Sequence, residues 1–264
     1  KRNQADIVYL TNLAASCIAE KRFDDAIDNG VNILNIDNNN VDALYILASA
    51  YMHKDDFAKA IFYIEKVLAI DELYVGAYIV LAYVYKKQLK INEEIELLKT
   101  VISLIVAEQN NNKDDTLYHK SLVEAWSLLG SAYTLINETI KAVEAFIECS
   151  LLEKNEQQKL VEYSNALFTA NYSEKLSATE KYSLHLKYND FFSDIKQFEH
   201  NFKVNKKKIR IGYISPDFRQ HAVSYFSYTM LANFNRNVFE VFCYAKGLAD
   251  DITFKLKAVV DKWQ

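Results

Sequence analysis

The stretch LYILASAY, Leu44 to Tyr51, sets Leu44, Leu47, Ala48 and Tyr51 at spacing i, i+3, i+4, i+7. That spacing lays the four side chains along one face of an α-helix. The same face recurs as Leu10, Leu13, Ala14, Cys17 and as Tyr78, Leu81, Ala82, Tyr85. The alanines stand at 14, 48 and 82, a period of 34 residues. A second helix follows at constant offset, marked by Ala26, by Ala60 and, in the third copy, by Glu94. The small residue lets the paired helix approach closely, and the residue one turn later fills the gap to the neighbouring helix. One such pair cannot bury its own apolar stripe, so the pairs must stack into an α-solenoid.

A fourth copy reads Trp126, Leu129, Gly130, Tyr133, then Ala142, Phe146 and Cys149. It arrives late. Gln109 to Asp115 is polar and aperiodic, and is read as an insertion covering about residues 107–118. The pattern resembles the tetratricopeptide repeat and implies an array over residues 1–157. The Leu, Ala and Tyr stripe is core and carries no chemistry. Function in such arrays lies on the concave groove, which suits protein or peptide partners. Residues 158–205 stay helical in pattern but lose the period. Ser177-Ala178-Thr179-Glu180 marks a helix start within them, with Ser177 as the cap. They are read as linking and capping helices.

Bulk properties narrow the field. The 264 residues are half hydrophobic and a quarter charged, with only 5 glycines and 1 proline, which favours long helices joined by short turns. The net charge of −4 offers no basic excess for phosphates, so nucleic acid is not an expected partner. Lys206-Lys207-Lys208 reads as a solvated lead-in to a strand. Cys17, Cys149 and Cys243 sit in apolar patterns and read as reduced, buried thiols of a cytoplasmic protein. The longest apolar stretch, Tyr74 to Tyr85, is too short to span a bilayer. The chain opens on Lys1, which suggests part of a longer protein. A homo-oligomer is left open.

Near Lys207 the pattern changes. Lys208 to Ile214 reads as a strand, which Pro216 stops. A helix from roughly His221 to Phe234, a second strand from Val238 to Tyr244 and a second helix from Asp250 to Lys262 follow. Strand, helix, strand, helix at this spacing begins a parallel, Rossmann-like α/β lobe over residues 206–264. The fold class is therefore mainly α, an array first and the start of a doubly wound sheet after it. Ligands of such sheets lie beyond the carboxyl ends of the strands, where Ser215 to His221 fall. There is no G-x-G-x-x-G, so a dinucleotide is not expected. His221 at a helix N-terminus feels the positive end of the dipole, which favours the neutral imidazole. Asp217 serves the turn first and could orient His221 second. His53, His119, His185 and His200 read as structural or surface residues, and no pair has metal-ligand spacing.

Residues Ile209 to Phe218, then Arg219-Gln220-His221, then Phe239 to Tyr244 resemble the opening of the catalytic region of O-linked N-acetylglucosamine transferases. His221-Ala222-Val223-Ser224-Tyr225-Phe226 looks like the bacterial, repeat-linked branch, as do Leu167 to Tyr172 and Leu176-Ser177 before it. Array first and lobe second is also that family's order. The resemblance implies a two-lobed transferase moving N-acetylglucosamine from UDP-GlcNAc to a Ser or Thr hydroxyl, with inversion and without a metal. His221 then matches the first-lobe histidine beside the reacting centre and is the one candidate catalytic residue. It is followed by Ala-Val where the animal branch has Pro-Thr, which bears on acceptor packing. No cofactor-binding or metal-binding residue is assigned, since UDP-GlcNAc is expected only with a second lobe. The family's groove asparagines would fall at Asn12, Ile46, Val80 and Leu128; only the first fits, which predicts a more apolar groove. The chain alone is expected to lack activity. A non-enzymatic interaction scaffold is the alternative, and an asparagine-modifying glycosyltransferase a third.

Overall fold

The computed structural model describes residues 2–109, 116–196 and 207–264. The chain divides into two compact units, Lys1–Lys196 and Gln197–Gln264.

The first unit is a row of antiparallel helix pairs: α1 (Arg2–Ala19) with α2 (Phe23–Ile36), α3 (Val41–His53) with α4 (Phe57–Ile70), α5 (Val75–Lys87) with α6 (Ile91–Gln109), and α7 (Thr116–Leu135) with α8 (Thr139–Leu152). Each pair turns on a residue with positive φ: Lys21, Asp55, Leu89 and Asn137, at φ 58° to 62°. The next residue's N–H then reaches back to the helix carbonyl: Arg22 to Cys17 at 2.8 Å, Asp56 to Tyr51 at 3.0 Å, Lys90 to Tyr85 and Glu138 to Tyr133 at 2.9 Å. This six-to-one bond closes the helix end and aims the partner helix back along it. Asn40 and Asp56 cap the starts of α3 and α4 with their side chains.

The first three turns repeat at 34 residues, and Asn137 comes 48 after Leu89. Helices α6 and α7 take up most of the excess, with 19 and 20 residues against 14 in α4 and 13 in α5. The inserted polar stretch itself, residues 110–115, lies outside the described residues.

Helices α3 and α5 are apolar nearly all round, because each is flanked by its own partner and by the neighbouring pairs. Packing explains one exchange within the stripe. Gly130 stands where the earlier copies have alanine, and a Cβ there would come within 2.8 Å of the Phe146 ring. The residues in register with Phe146 are Gly30, Ile64 and Leu98, so the wide ring is matched by the missing methyl.

Helix α9 (Glu156–Tyr172) packs on α8 and keeps the period, with Leu160, Tyr163, Ser164 and Leu167 placed 34 residues after Trp126, Leu129, Gly130 and Tyr133. Helix α10 (Ala178–Tyr188) opens on Ser177 in a full capping box with Glu180 and leads to a 3-10 turn, Asn189–Phe192. Residues 197–206, with His200, are outside the described residues.

The second unit is a small α/β layer: β1 (Ile209–Ser215), α11 (Ala222–Ala232), β2 (Phe239–Ala245), α12 (Asp251–Lys257) and β3 (Lys262–Trp263). The strands are parallel in the order β1-β2-β3, with Ile209 opposite Phe239 and Ser215 opposite Ala245. Val241 and Cys243 pack under Leu231 of α11 and Leu256 of α12, beside Phe218. One expectation is corrected: the last helix ends at Lys257, not Lys262. Val259 and Val260 turn into the core, Asp261 accepts the Val241 N–H at 2.8 Å, and Lys262 and Trp263 pair with β2 as a third strand.

All three cysteines are buried and free. Burial pushes the Cys149 thiol up to about 12 and that of Cys243 up to about 11, which leaves both unreactive at neutral pH.

Candidate active site

Strand β1 ends at Ser215 and Pro216 cannot continue it, having no N–H to give. The chain then runs through a short loop to His221, which is the N-cap of α11 in an extended conformation, φ −153° and ψ 154°. The loop is held along its length. The Ser215 hydroxyl accepts the Asp217 N–H at 3.1 Å, and the Ser224 hydroxyl donates to the Asp217 carbonyl at 2.7 Å. Phe218 is buried against Trp263. The Thr253 hydroxyl donates to the Phe218 carbonyl at 2.9 Å, and the Gln220 N–H donates to Asp250 at 2.6 Å.

His221 caps its own helix: its Nδ1 accepts the Val223 N–H at 3.3 Å. A nitrogen that accepts carries no proton, so a neutral ring in this position is protonated on Nε2. Asp217 lies further off, 3.8 Å from Nδ1, with Arg219 at 3.9 Å on its other oxygen. The turn contact of Asp217 is therefore closer than its contact with the imidazole. Arg219, Gln220 and His221 are solvent-exposed. Between α11 and α12 a surface cavity of about 470 Å³ is lined by Ser224, Tyr225, Tyr228, Ile252 and Lys255. Tyr225 and Phe226 project outward at 64% and 84% exposure.

His53 lies at the end of α3 and His185 within α10. His53 stacks on Phe23 at 4.8 Å, and burial, then Lys87, hold its imidazole below the usual range against Asp55. His185 Nδ1 lies 2.9 Å from the Lys181 carbonyl. Among the described residues no group of three His, Cys, Asp or Glu side chains is set to hold a metal ion. No helix among them is long and apolar enough to cross a membrane.

The expected apolar groove is revised. Ile46, Val80 and Leu128 are only 3–4% exposed, packed between neighbouring helices. Their apolar character answers to the core and does not line an open surface. The sequence reading did not single out Ser224, Asp250 or Thr253 as residues of the site; the one signal was Asp250-x-x-Thr253, a helix-start pattern.

A solenoid of 34-residue helix pairs followed by a parallel α/β unit is the architecture these elements define. Residues 18–73 match the tetratricopeptide repeat model, and residues 178–262 match the model of glycosyl transferase family 41. The first match falls on the helix pairs, and the second runs from the start of α10 into β3. Among solved structures, MamA (residue 41 to the end) from Desulfovibrio magneticus RS-1 is 16% identical, with a TM-score of 0.52 over 73% of this chain and 98% of that one. For pilF of Pseudomonas aeruginosa the values are 17%, 0.51, 74% and 87%. These two likenesses concern the fold. A mutant of Thermobaculum terrenum O-GlcNAc transferase aligns with all of this chain at 19% identity and a TM-score of 0.43, and the chain spans 42% of that protein's length.

Proposed function

We propose that the chain is the repeat array and the beginning of the first catalytic lobe of a protein O-glycosyltransferase. The reaction is transfer of N-acetylglucosamine from UDP-GlcNAc to Ser or Thr hydroxyls of proteins. The observation that carries the reading is the family-41 match over residues 178–262, which includes His221 in a braced loop after a parallel strand. Open parallel sheets use that end of their strands for ligands. The repeats recruit the acceptor protein. The uridine and diphosphate are held by a second lobe, whose helix N-terminus and cations stabilise the leaving group.

His221 stands at the reacting centre in this proposal. With Nδ1 engaged by the Val223 N–H, the neutral ring offers Nε2–H, so its part is to donate a hydrogen bond to a reacting oxygen. The test is His221→Ala in the complete product of the gene, reading UDP release with a protein acceptor. Turnover is expected to fall by about a hundredfold or more; unchanged turnover removes His221 from the site. A non-enzymatic scaffold is the competing reading. A coding sequence that stops after Gln264 favours it, and one that goes on to a nucleotide-binding lobe eliminates it.

A further inference from the structure

We propose that Asp250 and Thr253 are positioning residues that fix the loop bearing His221; this rests on the active-site role of His221 proposed above. The two residues lie some 30 positions from the loop in sequence and meet it through the fold.

Asp250 divides its two oxygens between two tasks. Oδ1 accepts the Thr253 N–H at 2.9 Å and caps α12, and Oδ2 accepts the Gln220 N–H at 2.6 Å. A helix cap needs only the first oxygen. The second is spent on the residue immediately before the histidine. Thr253 does the same with its hydroxyl: it accepts the Asp250 N–H at 3.2 Å and donates to the Phe218 carbonyl at 2.9 Å. Thr253 is buried, so its hydroxyl is not shared with solvent. The Gln220 N–H, followed by the Thr253 N–H, holds the Asp250 carboxyl below the usual carboxylate range. The carboxylate therefore stays charged at neutral pH and its bond to Gln220 is of the stronger, charge-assisted kind.

The loop needs such bracing from outside. Arg219, Gln220 and His221 are all exposed, so burial restrains them little. An active-site group must be held to about half an ångström, which hydrogen bonds from a neighbouring element supply.

Asp250→Asn separates the two tasks. Asparagine caps a helix about as well as aspartate. Its single oxygen keeps the Thr253 N–H, and the amide nitrogen that replaces Oδ2 cannot accept from Gln220. Asp250→Ser likewise leaves one capping oxygen. The readouts in the 264-residue chain are amide exchange at Gln220 and within α12, and the ring ¹⁵N signals of His221, assigned with His221→Ala. In both variants Gln220 is expected to exchange at least about tenfold faster while Leu256 in α12 stays protected. The ring signals should move from the Nε2–H pattern toward the average of two tautomers. Unchanged Gln220 exchange and ring signals overturn the proposal. So does loss of protection at Gln220 and throughout α12 together in both variants, because the carboxylate then acts only as a cap.

The complete enzyme separates this proposal from the one beneath it. Asp250→Asn should lower kcat at least about tenfold with KM for UDP-GlcNAc within about threefold. If Asp250→Asn loosens the loop and His221→Ala turns over normally, the reading of His221 fails and the tether stands. If His221→Ala is inactive and Asp250→Asn leaves the ring unmoved, the tether fails and the reading of His221 stands.

Discussion

Glu94 occupies the place that Ala26, Ala60 and Ala142 hold in the other repeats, and it is fully buried with neither carboxyl oxygen hydrogen-bonded. Glu162 shows what a satisfied buried carboxylate looks like in the same array: Ser127, Gln158 and Asn165 donate to it at 3.3, 3.0 and 3.4 Å. Burial pushes the Glu94 carboxyl from its ordinary 4.5 up to about 7, with Lys86 opposing the rise. A raised carboxyl pKa in the fold means that the unfolded chain loses its proton first. Stability is therefore full below about pH 4.5, falls as pH rises towards 7, and levels off above it. The loss is on the order of 3 kcal/mol. Thermal melts at pH 5 and pH 8 check this: Glu94→Gln should abolish most of the difference between the two. Glu94→Ala, the residue of the other repeats, should raise Tm at pH 8 by several degrees. An unchanged pH profile in Glu94→Gln means that the carboxyl finds water.

At the scale of elements, the turns within the helix pairs carry the array. Each needs one residue in the left-handed region, where a side chain costs about 1–2 kcal/mol and asparagine less than most. The fourth turn uses Asn137; the third uses Leu89, whose side chain is 76% exposed and so gains little from burial to offset the strain. Leu89→Asn should stabilise the protein by several tenths to about 1 kcal/mol, measured as a higher denaturant midpoint at unchanged m-value. A lower midpoint would mean that the Leu89 side chain contributes more than its exposure indicates. These turns also show how far sequence reading reached. The stripe of Leu, Ala and Tyr located the helices, because 3.6-residue periodicity is a local property. Over residues 158–205 it gave helix but no period, because polar Ser164 stands where the earlier copies have alanine or glycine, while α9 packs on α8 with Leu160, Tyr163 and Leu167 in register. It also extended the last helix over Val259 and Val260, whose apolar character serves helix face and strand approach alike.

For the whole molecule, the two units meet different demands. The array buries its apolar residues between successive helix pairs. The α/β unit has three parallel strands among its described residues, and Ile214, Phe226 and Leu248 are exposed at 84% or more. Parallel sheets are ordinarily covered on both faces. Under the proposed function the nucleotide site belongs to a second lobe, so the 264-residue chain should bind UDP only weakly. Titration calorimetry with UDP should give no measurable heat at micromolar protein; a micromolar Kd would move the nucleotide pocket into this chain. The repeats, the change of architecture near Lys207 and the position of His221 after a strand were all legible in the residues.

Local order explains that legibility. A period of 34, a proline after alternating β-branched residues, and a histidine before a helix are statements about neighbours along the chain, and neighbours settle helix and strand. What the tertiary structure alone decided involves residues far apart: Asp250 and Thr253 gripping a loop some 30 positions earlier, Glu94 sealed without a partner, and Ile46, Val80 and Leu128 drawn into the core away from the groove. Each of those depends on which surfaces the packed helices and strands bring together, and no local pattern encodes that.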